Sequence, residues 1–495
     1  MQFTSIKFLI FFLIVSVLYY VIPHKFRWVW LLICSYFFYM VLNPKYAILI
    51  ATSTIITYLS GLLIEKANKI NNEKKSIQIK KFWVFASFSS NLGILFLFKY
   101  YNFFNDSLSR LLHVFSISNH APSFEYLLPL GISFYTLQAL SYTVDVYRKD
   151  VTAQKNIGKY ALFVSFFPSI VSGPIEKSKN MLHQFDEKHN FNYNRIKNGL
   201  LLMLWGVFVK MVVSDRLAVL VNTVYNNPND YKGFTTFLAT LFFTFQIYCD
   251  FMSYSDIARG AAEVLGFNVT NNFHQPYLSR SIREFWSRWH VSLTSWFKDY
   301  LYFPLGGNRR GNFRKDYNIM IVFLVSGLWH GSTFNFIIWG GLHGLYQIIE
   351  NLSKPFKEKV IKTFKIKTKV FSFKCFQVFI TFMLVNFAWI FFKASSLSTA
   401  ITIIKNIFYF NPWVLINGSI FELGLDSKDF LIAVVGIIIV LTVDILHRTK
   451  NLRTGLSKQN IMFRWVTYVG AVAVILIFGL YGPGYSMQQF IYSQF

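Results

Sequence analysis

The stretch NIMIVFLVSGLWHGSTFNFIIWGGLHGLYQIIE, residues 318–350, decides how the fold of the whole chain is interpreted. It has no Asp, Glu, Lys or Arg before Glu350, yet His330 lies in its middle. A membrane-spanning helix needs about 20 apolar residues, so the stretch is too long for one upright helix and too short for two. Lys and Arg flank it on both sides, which predicts that both ends face the cytoplasm. We therefore predict a re-entrant segment that enters the bilayer and returns.

The composition agrees with a membrane protein. Of the 495 residues, 54% are hydrophobic and 19% are aromatic, and the mean hydropathy is +0.39. The formal net charge of +26 comes from Lys and Arg in short loops between apolar runs. This placement favours contact with anionic membrane lipids and not with nucleic acid. No metal site is predicted, because no Asp, Glu or Cys lies at ligand spacing beside the histidines.

Apolar runs alternate with basic loops along the entire chain. The pattern predicts an all-α polytopic membrane protein with about 11 membrane helices, re-entrant segments included. We predict one integral membrane domain, residues 1–495, with N-terminal spans in 1–126, a core in 127–393 and C-terminal spans with an outer tail in 394–495. The lysine-rich loop 66–81 belongs on the cytoplasmic side. Counting the spans from this loop places both termini outside.

His330 is the first candidate for chemistry. An ionisable residue inside the membrane suggests a functional site, and burial favours the neutral imidazole, which accepts a proton. Such a base suits attack by an alcohol on a thioester; the alternative is a structural histidine. His290 lies in the segment 280–307, where charged and aromatic residues alternate. We predict this segment to be an amphipathic helix at the cytoplasmic interface. His290 could position the acyl donor or protonate the thiolate, or be one more interfacial residue.

The predicted re-entrant segment would place His330 at the bottom of a cavity inside the membrane, and several basic residues lie beside the mouth of that cavity. Together they could hold the phosphates of coenzyme A or of a phosphopantetheine carrier, whereas each alone is also explained by topology and lipid contact. The candidates are Arg283, Arg288, Lys298, Arg309 and Arg310.

Several motifs resemble one family. RWHVSLTSWFKDYLYFPLGGNRRG at 288–311 and FLVSGLWHG at 323–331 look like the membrane-bound O-acyltransferases, in the bacterial branch of alginate and peptidoglycan O-acetyltransferases. Stretches 128–148 and 166–177 and the ending FIYSQF, residues 490–495, also resemble this branch. The family's two histidine positions correspond to His330 and His290.

The resemblance implies a ring of helices around a central tunnel or funnel. It also implies acetyl-CoA as the cytoplasmic donor substrate with no bound cofactor, an extracytoplasmic polysaccharide as acceptor, and a bacterial cytoplasmic membrane location. An extracytoplasmic SGNH-type acetyltransferase is the implied partner. Tyr492 in the tail is a candidate acyl acceptor or an aromatic interface anchor, although Ser493 replaces an aromatic residue of the family pattern.

Two other functions remain open from the sequence. One is D-alanyl transfer to teichoic acid from a carrier-protein thioester. The other is a non-enzymatic transporter, which we disfavour because the sequence shows no internal repeat and no acidic residue deep in a predicted span.

Overall fold

A computed structural model describes residues 1–41, 43–124, 129, 131–171, 173–450, 452–482 and 490–491. Every regular element in these ranges is helical, which confirms the all-α prediction. The chain contacts separate into two compact units: Met1–Leu200 with Ala258–Thr270, and Leu201–Ile257 with Asn271–Phe495. The single membrane domain predicted from the sequence stays a prediction.

The α-helices that begin in the first unit are α1 (Ile6–Val21), α2 (His24–Met40), α3 (Tyr46–Ala67), α4 (Glu73–Leu95), α5 (Tyr101–Val114), α6 (Ile132–Arg148), α7 (Ile157–Ser165), α8 (Phe167–Ile170), α9 (Ser178–Met181) and α10 (Tyr193–Phe208). Those that begin in the second unit are α11 (Asp215–Asn226), α12 (Phe234–Leu265), α13 (Ile282–Arg288), α14 (Val291–Phe297), α15 (Gly311–His330), α16 (Phe334–Leu352), α17 (Lys354–Thr363), α18 (Phe371–Lys393), α19 (Leu397–Ile407), α20 (Ser427–His447), α21 (Leu452–Ser457) and α22 (Ile461–Phe478).

Seven helices in the described ranges are long and apolar enough to cross a membrane. Two of them are continuous through a π-helical turn, which joins α4 to α5 and α10 to α11. The chain is therefore an integral membrane protein. The seven are Tyr46–Ala67, Glu73–Val114, Tyr193–Asn226, Phe234–Leu265, Phe371–Lys393, Ser427–His447 and Ile461–Phe478.

Polar side chains join the helices of the first unit. The Tyr160 hydroxyl on α7 donates to Thr57 Oγ1 on α3 at 2.7 Å, and Ser178 Oγ donates to Asp145 Oδ2 on α6 at 2.8 Å. Interhelical hydrogen bonds of this kind help hold membrane helices together, because lipid tails supply little hydrophobic driving force.

Buried charges lie within the second unit, contrary to the sequence analysis. Asp250 occupies the middle of α12 and is 1% exposed, with Lys210 Nζ 2.5 Å from its Oδ1. Asp444 on α20 accepts a hydrogen bond from the Tyr248 hydroxyl at 2.8 Å. The sequence predicts a span that ends at Phe251, with Lys210 and Asp250 near span ends where they could pair. The two residues do pair, but the helix continues to Leu265 and places Asp250 in its middle.

The segment 280–307 is not one amphipathic surface helix, so that prediction was wrong. It forms α13 and α14, separated at Trp289–His290, and then a π-helical turn, Lys298–Tyr302. The backbone of His290 has φ +44° in the left-handed region, which ends the first helix. The aromatic residues of segment 280–307 are largely buried, and Trp289 is 1% exposed.

Residues 318–350 lie within a helical hairpin of α15 and α16. The chain reverses between them at residues 331–333. The first limb begins at Gly311 and so includes charged residues, which gives it 20 residues. Since an α-helix rises 1.5 Å per residue, each limb is about 30 Å long, longer than the uncharged stretch suggested.

Glycines bring the two limbs of the hairpin into backbone contact. A Cβ atom at Gly327 would lie 2.2 Å from the carbonyl oxygen of Phe336. A Cβ atom at Gly340 would lie 2.2 Å from the carbonyl oxygen of Phe323. Both distances are far below van der Waals contact, so only glycine permits this spacing.

We expect Gly340→Ala to destabilise the protein by about 1–3 kcal/mol, because the added methyl group must displace backbone. The matched control is Gly341→Ala in the same helix, where the nearest atom would lie 3.6 Å from the new Cβ. Thermal unfolding of the detergent-solubilised protein should show a lower melting temperature for the first variant alone. Equal melting temperatures would contradict the close backbone contact.

Candidate active site

His290 is held by a short loop that packs against α13 and α14. The carbonyl of Asn272 accepts from the Val291 N–H at 3.1 Å, and its side-chain Oδ1 accepts from the Ser292 N–H at 3.1 Å. The N–H groups at the start of α14 are thereby paired, as helix N-termini require. The imidazole of His290 is fully buried, with the Phe251 ring edge-on at a centroid distance of 4.6 Å.

His330 is the last residue of α15 and lies among aromatic rings. Trp329 and Trp339 contact it edge-on, at centroid distances of 4.8 and 4.9 Å, and Phe392 lies at 5.5 Å. Only 3% of the residue is exposed. The sequence predicts this imidazole at the bottom of a cavity inside the membrane, whereas side chains enclose it in the structure.

Tryptophans connect His330 to two further histidines. The Trp329 ring also contacts His290, at 6.2 Å between centroids. On α16, His343 lies 5.2 Å from Trp339, and its Nδ1 accepts a hydrogen bond from Trp286 Nε1 at 3.2 Å. The structure thus brings His330 and His290 into one group, which we call the histidine–tryptophan cluster: His290, His330, His343, Trp286, Trp329 and Trp339.

His343 received little weight from the sequence. It is fully buried, and its bond to Trp286 fixes the orientation of that indole. Only the hairpin places it against Trp339, so its position along the chain could not reveal this contact.

A cavity of about 420 Å³ adjoins the cluster in the second unit. Trp286 belongs to both, and Ser326, one helical turn before His330, also lines the wall. Apolar side chains such as Phe323 cover much of the remainder. A pocket of this size with few polar groups is typical of small-molecule sites.

Three cations line this cavity: Arg283, Lys298 and Lys315. The first two were predicted to hold donor phosphates. Lys315 was read only as a topological flank, because the sequence did not show that α15 begins before it. Arg283 also donates to the Asn351 side chain, which in turn donates to Asp316 at 2.9 Å.

The other predicted cations do not line the cavity. Arg288 donates to Glu284 Oε1 at 2.7 Å and to the His274 carbonyl at 3.3 Å, so it secures the end of α13. Arg309 and Arg310 are exposed on the turn before α15. That turn is held by buried Asn318, whose Nδ2 donates to the Gly307 carbonyl at 2.9 Å.

The arrangement suits an elongated thioester with an anionic end. Arginine and lysine can pair with phosphate oxygens, and an apolar wall suits a pantetheine-like chain. Beyond Trp286, His343 accepts the hydrogen bond of that indole, and Trp339 lies between Trp286 and His330. Tyr492, the candidate acceptor, is outside the described residues.

Comparison with known proteins identifies the family. The sequence profile of the membrane-bound O-acyltransferase family matches residues 31–397. The chain is 35% identical over 416 residues to the probable alginate O-acetylase AlgI of Pseudomonas putida, which covers 84% of this chain and 82% of the relative. It is 31% identical over 432 residues to the peptidoglycan O-acetyltransferase of Helicobacter pylori, at 81% and 76% coverage.

A more distant relative is the teichoic acid D-alanyltransferase of Streptococcus thermophilus, 27% identical over 235 residues, at 45% of this chain and 56% of the relative. The family match spans well over half of the chain, and its bounds include α13 to α18 with the histidine–tryptophan cluster and the cavity. The chain therefore belongs to the membrane-bound O-acyltransferase family and is an acyltransferase.

Proposed function

We propose that the protein transfers an acetyl group from cytoplasmic acetyl-CoA to a hydroxyl group, for O-acetylation of an extracytoplasmic polysaccharide. The observation that carries the proposal is the cation-lined cavity that shares Trp286 with the histidine–tryptophan cluster, in a chain of this family. The names of the alginate and peptidoglycan relatives support acetyl as the group and a polysaccharide as the acceptor.

The cavity binds the donor in this proposal. Arg283, Lys298 and Lys315 pair with its phosphates, and the apolar wall accommodates the pantetheine chain. A phosphopantetheine carrier protein would present the same chemistry, so the cavity alone does not choose between the two donors.

His330 acts as the general base. Its neutral imidazole takes the proton of the attacking hydroxyl while the oxygen forms a bond to the thioester carbonyl carbon. The carbon–sulfur bond breaks, and the proton ends on the released thiol. His290 positions the donor or delivers that proton. Because Trp329, Trp339 and Phe392 enclose the imidazole of His330, we infer that a tryptophan side chain moves when the donor binds.

The cellular setting follows from the same proposal. The protein spans a bacterial cytoplasmic membrane with both termini outside, takes its donor from the cytoplasm and delivers acetyl groups outward. An SGNH-type acetyltransferase completes transfer to the polysaccharide. Tyr492 as an intermediate acyl acceptor stays a prediction.

We expect His330→Ala to lower the rate of acetyl transfer by about 10²–10⁴-fold, the usual contribution of a general base. The comparison variant is His343→Ala, which removes a second buried imidazole from the same cluster. Because His343 orients Trp286 at the cavity wall, that variant should mainly raise the KM for acetyl-CoA. Thiol release and ester-linked acetate are measured with purified protein of verified folding.

A His330→Ala protein that retains its kcat would contradict the base role. An equal loss of kcat in both variants, with intact folding, would show that the cluster acts only through its packing.

We expect Lys298→Met and Lys315→Met each to raise the KM for acetyl-CoA by about tenfold, because each removes one charge-assisted contact to a phosphate. The control is Lys357→Met, an exposed lysine of α17 with the same change of charge. An unchanged KM in both cavity variants would place the donor elsewhere.

The D-alanyl alternative rests on the Streptococcus thermophilus relative. Ester-linked acetate and ester-linked alanine should be quantified in envelopes of cells with and without the protein. Loss of alanine and not acetate in the deletion strain would replace the acetyl proposal.

A further inference from the structure

A group of buried charges in the second unit binds a main-chain group close to the C-terminus. Lys210 lies between two carboxylates, with its Nζ 2.5 Å from Asp250 Oδ1 and 2.7 Å from Asp215 Oδ1. The lysine and Asp250 are 2% and 1% exposed. The second oxygen of Asp250, Oδ2, accepts a hydrogen bond from the N–H of Ile491 at 2.8 Å.

Aromatic contacts hold the residue before it. The Phe490 ring lies 4.5 Å from Tyr254 and 5.7 Å from Phe251, centroid to centroid. Phe490 and Ile491 are 4% and 6% exposed, so this part of the tail is packed and not draped over a surface. Asp250 and Tyr254 are four residues apart on α12 and therefore share one face of the helix.

The next residue of α12 after Asp250, Phe251, reaches the histidine–tryptophan cluster. Phe251 contacts Phe490 on one side and the imidazole of His290 on the other, at 5.7 and 4.6 Å. The tail is therefore one aromatic ring away from His290.

The charges are expensive in this position. A buried ion pair stabilises a protein weakly or not at all relative to apolar residues of the same volume, and ionisable groups inside membrane helices usually serve a function. Asp215 by itself would pair the charge of Lys210. That charge therefore does not explain the second carboxylate, Asp250, which also binds the Ile491 N–H. A main-chain hydrogen bond to a carboxylate fixes the position of the chain whatever the side chain at residue 491 is.

We propose that Asp250, held by Lys210, is a positioning residue that anchors the C-terminal tail beside His290 for the acyl-transfer step. This inference rests on the proposed function. Tyr492 follows Ile491 directly in the sequence, so the anchor lies immediately before the candidate acceptor.

The test changes the tail and leaves the charged group intact. Ile491→Pro removes the N–H that donates a hydrogen bond to Asp250. Ile491→Val keeps this N–H and has a similar side chain. Each is made with Phe490→Cys in a Cys375→Ser background, because Cys375 is exposed and the other cysteines, Cys34 and Cys249, are buried. The rate of reaction with a maleimide reports whether the tail is docked.

We expect Ile491→Pro to raise the labelling rate at least about tenfold, since a hydrogen bond to a charged group is lost, and Ile491→Val to leave it unchanged. Without the cysteine reporter, Ile491→Pro should lower kcat for transfer to the acceptor at least about tenfold. The KM of the Ile491→Pro protein for acetyl-CoA should stay the same. The Ile491→Val control should keep the kcat of the unsubstituted protein.

The outcomes separate this inference from the proposed function. Equal labelling of the proline and valine variants overturns the anchor. Increased labelling with undiminished transfer overturns the positioning role. If the unsubstituted protein releases no thiol from acetyl-CoA, the proposed function fails, while the labelling result still decides whether Asp250 holds the tail.

Discussion

The contact between the backbones of α15 and α16 is the constraint on which the site depends. Gly327 and Gly340 allow each helix to lie directly on a carbonyl oxygen of the other. Side chains near the end of the hairpin are thereby brought together, so His330 at the end of α15 meets Trp339 on α16, which also contacts His343. A larger residue at either glycine would clash with a backbone carbonyl of the other limb.

Two indoles of the cluster, Trp286 and Trp339, connect the cavity wall to the imidazole of His330: Trp286 lines the cavity, and Trp339 contacts both Trp286 and His330. Trp286 forms part of the cavity wall and donates to His343, so the wall is held by a hydrogen bond as well as by packing. Buried indoles usually satisfy their N–H in this way. Enclosure keeps water away from the base in the proposed reaction, which limits hydrolysis of the thioester. In the proposed reaction, an aromatic side chain therefore has to move before the donor reaches the imidazole of His330.

Buried polar groups organise the second unit beyond the cluster. Lys210 pairs with Asp250, and the Tyr248 hydroxyl donates to Asp444, so each of these buried groups has a partner. In a low-dielectric surrounding an unpaired charge is strongly unfavourable, so such pairs fix the relative position of the groups that form them. The Asp250 carboxylate also fixes the position of Ile491, because its second oxygen accepts a hydrogen bond from the Ile491 N–H.

The sequence by itself determined the helical class and the membrane-spanning character, because hydrophobic run length and loop charge depend only on local composition. Its motifs indicated the family. It also singled out His330, since an ionisable residue in an apolar run is visible without coordinates. Tertiary structure alone decided which cations line the cavity, that His343 joins the cluster, that the segment around His290 is buried, and that Asp250 binds the tail. These facts depend on which side chains from distant segments meet, and neither periodicity nor composition records that.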